Sequence, residues 1–575
     1  MALTPGRTTD LAAFAGYALF ALYVTVRFWR DPNYRVLGTN AGDQGFYEWM
    51  LAYQGHVVSH LDNPFYTHMQ NAPVGVNLMC NASVPLLGWL LAPLTLLFGS
   101  HVTFGVLLTS NLFLTAAAWY YVLSRHLVRH RFAALIGGAF CGFGPGMISQ
   151  SSGHIHMTAA YLVPFIVWQV TRLGERGRVL RNGLILGLLV AAQLLIGEET
   201  LLLTAIACGV FVLVYAASRP REAVRIAVPY LSALSLGAII TLVIDGYPLW
   251  MQFFGPNHAS GVPVVYGADL WAYISNAQQS IIGDRDSALR FSPNPSEQNS
   301  FFGASLPLLA IGIGIMLWRT IAARMAFVTA LVCVVFSLQH PIVFRAQPTD
   351  LPAPSALLAK LPIIDALILS RLGLITMVCI GILLALVIDR VWEQAARPEL
   401  SGVPVRLLAS VVVGAVLLPL LPTPLPTTPR EVPIPPFITS ERWRDYVAEG
   451  RTMVIAAPGS PSNLVWGAAA GTSFAIVQGY FIYPTSATDT HARWGSPGRP
   501  TQLLMDDIWL GKPRTVGPVE REDAIKDLKH WGADAVVLSI YERHSPELRQ
   551  AIEAMLGPPQ QVDGVWLWDV RRHTR

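Results

Sequence analysis

The residues of this chain that could do chemistry begin in an acidic, histidine-bearing stretch between positions 38 and 66. Asp43 lies there in the sequence G-T-N-A-G-D-Q-G-F-Y-E, and the next acidic residue, Glu48, follows five positions later. A carboxylate in such a stretch can act as a general base or as a ligand for a metal ion. We therefore predict Asp43 as the catalytic residue and Glu48 as a substrate-binding residue.

Two further pairs of polar residues interrupt apolar sequence. His154 and His156 lie in the turn S-S-G-H-I-H-M, where both side chains could point into a cavity or could be ordinary loop histidines. Glu198 and Glu199 lie in I-G-E-E-T-L-L. Carboxylates so close to hydrocarbon must find a cation, a proton or a hydrogen-bond donor, and a salt bridge to an arginine of the loop 246–302 is the alternative to a role in binding. We predict all four as substrate-binding residues.

Arg371 stands in L-I-L-S-R-L-G-L, at the start of an apolar segment. Its guanidinium presents a fork of donors that matches the oxygens of a phosphate group. The alternative is that the side chain only anchors a helix end at the membrane surface. We predict a role in holding a lipid phosphate.

The composition indicates which kind of protein must position these residues. Of the 575 residues, 53% are hydrophobic and only 13% are charged, whereas soluble proteins carry about 25% charged residues. Apolar segments recur as far as position 421, which predicts an α-helical polytopic membrane protein. The net charge of +4 does not indicate nucleic acid binding, because the arginines cluster in short loops. The five cysteines are scattered and form neither a disulfide framework nor a zinc-binding pattern.

The basic clusters set the predicted topology, because such clusters mark the cytoplasmic side. They lie within 125–131, 172–181, 219–225, 319–324 and 390–406, and pairs of apolar segments separate them. We predict eleven spans, with the N-terminus inside and the C-terminus outside. The short segment 84–99 contains two prolines and is predicted as a re-entrant or interfacial helix; if it spans, the count is twelve. The predicted spans are 11–29, 104–123, 132–149, 157–171, 183–197, 200–217, 226–245, 303–318, 325–338, 372–389 and 407–421.

Nearly all acidic residues and histidines between positions 31 and 371 fall in or beside the predicted outer loops. Ionisable groups near a bilayer are costly and usually mark a functional site. Their one-sided distribution predicts a polar site at the outer face, with a helix from Phe46 to Leu61 lying along the membrane. The loops are 30–103, 150–156, 198–199, 246–302 and 339–371.

The chain beyond this membrane region, which we take as 1–421, changes character. Residues 422–436 are rich in proline and predict an extended linker. Residues 437–575 predict a small extracytoplasmic α/β domain, with an N-cap at Ser545. Its first turn, A-P-G-S-P, has one glycine and no lysine, so it is not a phosphate-binding loop. The predicted strands are 452–457, 473–483, 534–539 and 564–570, and the predicted helices are 520–531 and 545–556.

These features together resemble the GT-C superfamily of polytopic membrane glycosyltransferases. The resemblance rests on G-D-Q-G-F-Y-E in the first outer loop, on V-P-L-L-G-W-L-L, on the outward C-terminal domain and on the motifs G-H-I-H-M-T-A-A-Y-L-V-P-F and L-L-I-G-E-E-T-L-L. It implies a bacterial plasma-membrane enzyme that transfers a sugar from a polyprenyl-phosphate donor to a glycan, lipid or protein acceptor on the extracytoplasmic face. It also implies that Asp43 is the base or a metal ligand.

The sequence departs from the GT-C pattern in one respect, because the first loop has no D-x-D or D-D/D-E pair. A divalent cation is therefore a possible cofactor rather than an implied one. Two alternatives stay open: a transporter or flippase for a lipid-linked substrate, which internal repeats would favour, and a catalytically degenerate assembly protein. No W-W-D motif is present, so transfer to protein asparagine is not expected.

Overall fold

The computed structural model describes residues 5–262, 266–358, 363–396 and 404–574. Its first part contains three long helices, which short elements connect. The predicted re-entrant segment 84–99 consists of two helices that meet at Leu91 and are 6 and 7 residues long, so neither can cross a bilayer. The elements are α1 (Pro5–Thr25), β1 (Arg35–Leu37), α2 (Ala41–His60), β2 (Tyr66–Thr67), β3 (Val76–Asn77), α3 (Pro85–Leu90), α4 (Ala92–Phe98) and α5 (Ser100–His126).

The middle of the chain is a succession of apolar helices. One predicted span, 157–171, is interrupted, because Pro164 lies in the first turn of a helix of only 10 residues, which is about 15 Å long. The elements are α6 (Arg131–Phe143), α7 (Pro145–Gln150), α8 (Ile155–Thr158), α9 (Val163–Arg172), α10 (Val179–Leu194), α11 (Glu198–Ser218) and α12 (Pro220–Phe254).

The membrane region ends with α13 (Arg285–Arg290), α14 (Ser305–Met316), α15 (Ile321–Ser337), β4 (Val343–Phe344), β5 (Gln347–Pro348), α16 (Ser355–Leu358), α17 (Leu372–Gln394) and α18 (Val405–Leu417). In the described part of the chain, six helical stretches are long and apolar enough to cross a membrane, and four shorter apolar helices accompany them. The chain therefore has the build of a multi-pass membrane protein, and the number of crossings stays a prediction. Part of the last basic cluster, residues 397–403, lies outside the described residues. The six stretches are 7–25, 100–126, 131–150, 198–218, 220–254 and 369–394.

The C-terminal region contains a five-stranded sheet in the order β12–β13–β11–β7–β8. Strands β11, β7 and β8 are parallel, and β13 is antiparallel to both of its neighbours. The elements are β6 (Thr427–Pro429), α19 (Pro436–Thr439), β7 (Thr452–Ile455), α20 (Ser462–Ala469), β8 (Ala475–Ile476), β9 (Ile482–Pro484), β10 (Ala492–Trp494), α21 (Pro500–Trp509), α22 (Pro518–Trp531), β11 (Ala533–Ser539), α23 (Ser545–Leu556), β12 (Gln560–Val562), β13 (Val565–Asp569) and α24 (Arg571–Thr574).

Two sequence-based details of this region were wrong. The segment 473–483 is not one strand, because β8 ends at Ile476 and β9 begins at Ile482. Ser545 is not an N-cap: that position belongs to His544, which has a left-handed φ of 54°. The Ser545 hydroxyl instead donates a hydrogen bond to the carbonyl of Ser539, at 2.9 Å, and so ties α23 to the end of β11.

The sheet is packed on both faces, and one face continues into the membrane region. Along β7, Met453 and Ile455 belong to the core that includes α2, whereas Val454 belongs to a separate core beneath α22 and α23. Helix α20 belongs to this first core as well and packs against α2. As a result, α2 is buried from Gln44 to Val57 and does not lie along a membrane surface as predicted. The predicted linker is also anchored, because β6 pairs with β1.

Candidate active site

Asp43 lies in the first turn of α2, where the chain turns into the helix. The N-cap residue, Asn40, accepts a hydrogen bond from the Asp43 backbone N–H at 3.2 Å and donates one from its amide to the Asp43 carboxylate. Asparagine is among the favoured N-cap residues, and a carboxylate in the first turn is stabilised by the helix dipole. The local sequence therefore fixes both the position and the orientation of this carboxylate.

His154 reaches Asp43 because a glycine precedes it. Gly153 has a φ of +120°, which favours glycine, and a Cβ there would lie 3.0 Å from the Asp43 Cβ. This close approach lets the His154 Nε2 atom sit 2.8 Å from the Asp43 Oδ2 atom. The turn between α7 and α8 is thus fitted to the start of α2.

Beyond His154, a row of charged side chains alternates in sign. The other ring nitrogen of His154, Nδ1, lies 2.6 Å from the Gln150 amide oxygen and 3.8 Å from a Glu297 oxygen. Each ring nitrogen of His154 therefore lies within hydrogen-bond distance of a side-chain oxygen. Glu297 accepts from the Arg371 Nε atom at 3.1 Å, and the Nη1 atom of Arg371 donates to Glu199. The row, from Asp43 through His154, Glu297 and Arg371 to Glu199, is called the charge row below.

The charge row connects five separate parts of the chain at one end of the helices. Its members come from α2, the α7–α8 turn, the loop before α14, the start of α17 and the start of α11. Burial raises the pKa of Asp43, but the hydrogen bond and charge of His154, together with bonds from Asn40 and Tyr480, outweigh it, and the net pKa lies below 3.8. Burial likewise raises the pKa of Glu297, while Arg371 and then His154 bring it below its usual value. Both carboxylates are therefore ionised at neutral pH.

His156 takes a different role from its neighbour two positions away. Its Nδ1 atom is hydrogen-bonded to the hydroxyl of Tyr47 on α2. Burial, and then the charges of His154 and Arg371, hold its pKa well below the usual value, so the ring is neutral and accepts a hydrogen bond from the tyrosine hydroxyl. His154 and His156 thus both contact α2, one at Asp43 and the other at Tyr47.

Of the two glutamates at the start of α11, only Glu199 joins the charge row. Glu198 lies close enough to Asp245 of α12 for their carboxyl groups to interact electrostatically. Asp245 is fully buried, and neither of its oxygens has a hydrogen-bond partner among the described residues. The sequence shows Asp245 as a lone acidic residue in an apolar run, which could have marked it as unusual. The sequence interpretation treated it only as part of the span 226–245.

Glu48 lies one turn beyond Asp43 but faces a different partner. Its two oxygens accept from the Arg430 Nη2 atom at 2.7 and 2.6 Å, and Gln44 donates to it at 2.7 Å. Both charged side chains are buried, with exposed fractions of 3% and 6%. Arg430 follows β6, so this pair fastens the proline-rich segment to α2.

We expect Glu48→Gln to weaken the attachment of the proline-rich segment to α2 and not the binding of a substrate. The amide keeps the shape of the side chain but loses its charge, and a hydrogen bond to a charged group contributes about 2 kcal/mol. Thermal unfolding of the purified protein in detergent should show that loss. A donor KM that rises sharply with no change in thermal stability would contradict the expectation and favour the predicted binding role of Glu48.

Sequence reasoning missed two residues that contact this site. Tyr480, which follows β8, forms a hydrogen bond with the Asp43 carboxylate. Glu297 lies in the long loop before α14 and is only 4% exposed. Glu297 was one acid among several in that loop, and Tyr480 had only its aromatic character as a signal. Neither position could be connected with Asp43 without the fold.

The surroundings of Asp43 are not those of a divalent-cation site. Its neighbours Asn40, His154 and Tyr480 all point hydrogen-bond donors at the carboxylate. Within the ranges that the structure describes, no three His, Cys, Asp or Glu side chains converge so as to hold a metal ion. The arrangement does not fit a metal site.

An apolar cavity lies next to the charge row. Thr200, adjacent to Glu199, is one of its lining residues, and its hydroxyl donates to the His156 carbonyl at 3.2 Å. The cavity has a volume of about 70 Å³ and extends between α5, α9, α11 and α17. Other lining residues are Trp119, Val167, Leu203, Phe211, Leu374 and Ile382.

Residues 13–367 match the family described as a domain of unknown function, DUF6311. The chain belongs to the DUF6311 family. This match covers α2, the α7–α8 turn, the start of α11 and the Glu297 loop. No curated protein matches the chain.

Solved structures show what fold this DUF6311 protein has. The archaeal oligosaccharyltransferase AglB from Archaeoglobus fulgidus, in complex with an inhibitory peptide and a dolichol-phosphate, superposes with a TM-score of 0.52 at 10% identity, over 95% of this chain and 70% of AglB. The arabinofuranosyltransferase AftD from Mycobacteria gives 0.54 at 14% identity, over 99% of this chain and 40% of AftD. Likeness at such identities shows the fold, so the predicted resemblance to GT-C glycosyltransferases is confirmed at that level.

Proposed function

We propose that this DUF6311 protein is a membrane glycosyltransferase. It transfers a sugar from a polyprenyl-phosphate-linked donor to an acceptor of the cell envelope, on the extracytoplasmic face of a bacterial plasma membrane. The observation that carries the proposal is the ionised carboxylate of Asp43, at one end of a set of apolar helices. His154 and Asn40 both hold its Oδ2 atom, and 16% of the side chain remains exposed. A reactant can therefore meet a carboxylate whose orientation is already fixed.

In the proposed reaction, an acceptor hydroxyl attacks the anomeric carbon of the donor sugar. A new C–O bond forms, the bond from the anomeric carbon to the phosphate oxygen breaks, and its electron pair leaves with the polyprenyl phosphate. The hydroxyl proton moves to Asp43. A weakly basic carboxylate suits this step, because the hydroxyl becomes strongly acidic only as its oxygen bonds to the carbon.

The lipid part of the donor has an apolar surface to lie against. The cavity between α5, α9, α11 and α17 is lined mainly by apolar residues, as an isoprenoid chain requires. Arg371 remains our candidate for the phosphate, although Glu297 and Glu199 already engage its guanidinium. Glu199 is the partner that a phosphate could replace, since 19% of its side chain is exposed against 2% for Glu297.

The low pKa of Asp43 predicts a particular pH dependence. The base must be ionised, so kcat/KM should fall only as the pH drops through the folded pKa, which lies below 3.8. Tyr480→Phe removes a hydroxyl that lowers this pKa. The acid limb of the pH–rate profile should therefore move to higher pH in the variant. An unmoved limb would show that Tyr480 does not act on the base.

The test of the proposed function is a transfer assay in proteoliposomes. Purified protein is supplied with radiolabelled polyprenyl-phosphate sugars and an extract of envelope glycans. The radiolabel that has become covalently attached to the water-soluble glycans is then counted. Transfer by the wild type that depends on Asp43 supports the proposal. Movement of the donor between leaflets without transfer would contradict it and favour a flippase, and no binding of any donor would favour an assembly protein.

A further inference from the structure

Two stacked aromatic rings lie next to Asp43 and come from the C-terminal region. The rings of Tyr480 and Trp494 are almost parallel, at 7°, with centroids 4.9 Å apart. Tyr480 also packs edge-on against Phe46 of α2, at 6.2 Å, while its hydroxyl bonds to Asp43. Trp494 is therefore the outer ring of the pair. Large aromatic side chains are usually buried, yet 37% of Tyr480 and 48% of Trp494 are exposed.

The outer ring is held in a fixed position relative to the membrane region. Trp494 ends β10 and is paired with Ile482 of β9. The backbone of Ile482 donates to the Asn81 side chain at 2.7 Å and accepts from it at 3.3 Å. A second anchor joins Ser260 to Ala492, at 2.9 Å. The exposed indole is thus part of a braced hairpin.

Amide and hydroxyl groups surround this aromatic pair. Ser496, two positions after Trp494, donates to the Asn71 amide oxygen at 2.6 Å and to that of Gln478 at 3.2 Å. Gln70 is fully buried, and neither end of its amide has a partner among the described residues. A Cβ at Gly479 would lie 2.2 Å from the Gln70 oxygen, so the Gln70 amide packs directly against the backbone next to Tyr480.

We propose that the exposed face of Trp494 binds the acceptor and that this acceptor is a saccharide. Sugar rings present an apolar C–H face that packs on an aromatic ring, and the exposed indole of Trp494 offers such a surface beside the half-buried Ser496. A lipid acceptor would need an extended apolar groove instead of one exposed ring. This inference rests on the proposed glycosyltransferase function and specifies its acceptor.

The geometry also sets a minimum length for the acceptor. Tyr480 separates Trp494 from Asp43, because its hydroxyl bonds to the carboxylate while its ring stacks on the indole. A sugar on the outer face of Trp494 is therefore not the unit whose hydroxyl faces Asp43. It is the unit next to it, so the acceptor is an oligosaccharide of at least two units.

The test measures binding and transfer separately. The full-length protein in detergent is applied to an array of bacterial envelope oligosaccharides, and Trp494→Ala, Trp494→Phe and Asp43→Asn are compared with it. We expect the wild type and Asp43→Asn to bind equally, Trp494→Ala to bind about tenfold more weakly and Trp494→Phe to recover most of the affinity. In the transfer assay, Trp494→Ala should raise the KM for the acceptor and not that for the donor. Trp318→Ala is the matched control, since that tryptophan is 44% exposed but packs under Arg324.

Two results would overturn the inference: no oligosaccharide on the array is bound, or Trp494→Ala binds as well as the wild type. The outcomes also distinguish this inference from the proposed function. Binding that depends on Trp494, without any sugar transfer, would leave a saccharide-binding protein that is not an enzyme. If Trp494→Ala transfers sugar with an unchanged acceptor KM, the protein is an enzyme but Trp494 does not bind its acceptor.

Discussion

Replacing Asp43 by asparagine should lower the rate of sugar transfer by about 10²- to 10⁴-fold, the usual contribution of a general base. The amide has the shape of the carboxylate, and its oxygen can still accept from Asn40 and His154. It cannot take a proton from the acceptor hydroxyl. The KM for the donor should change little, because the lost interaction is made only as the hydroxyl reacts.

The measurement is single-turnover transfer from a radiolabelled polyprenyl-phosphate sugar in proteoliposomes. Asp62→Asn is the matched control, because it makes the same chemical change just beyond the other end of α2, where the carboxylate accepts from His56 at 3.0 Å. The control should retain its rate within about twofold, since the Asp62 side chain is 48% exposed and lies at the opposite end of α2 from Asp43. A rate for Asp43→Asn equal to that of the control would remove Asp43 from its catalytic role.

The sequence indicated four members of the charge row but not the contacts between them. Asp43, His154, Glu199 and Arg371 were each singled out by ionisable character in or beside apolar sequence, and the structure joins all four in one charge row. Their connection depends on Glu297, which bonds to Arg371 and approaches His154. Glu297 lies in a loop without periodicity, and no sequence pattern indicates which acid of a long loop turns inward.

For the fold, too, features set by a local stretch of sequence were predictable, whereas contacts between distant parts of the chain were not. Apolar runs predicted the long helices, because each run alone determines what can cross a bilayer. The environment of α2 was not predictable in this way. Its sequence suits a membrane surface, yet it is buried because α20, more than 400 residues later, covers it. The contact of Tyr480 with Asp43 depends on the same distant packing and was missed for the same reason.

Arg371→Ala should destabilise the protein more than any other single change in the charge row, by about 3–5 kcal/mol, because it leaves a buried carboxylate without its cation. That carboxylate is Glu297, whose side chain is 2% exposed and whose oxygens accept from the Arg371 Nε atom at 3.1 and 3.3 Å. The second partner, Glu199, would lose its only ion pair in the described residues. Thermal unfolding in detergent should show a large fall in the midpoint.

Arg178→Ala provides the comparison for this loss. Arg178 also pairs with a glutamate, Glu175, at 3.0 Å, but the two side chains are 54% and 36% exposed, so its removal should cost less than about 1 kcal/mol. The double variant Arg371→Gln with Glu297→Gln removes both buried charges and should recover part of the stability that Arg371→Ala loses, because the desolvated carboxylate is gone. If Arg371→Ala unfolds at the wild-type midpoint, the guanidinium does not stabilise the folded protein through Glu297 or Glu199. Arg371 would then be free to hold the donor phosphate.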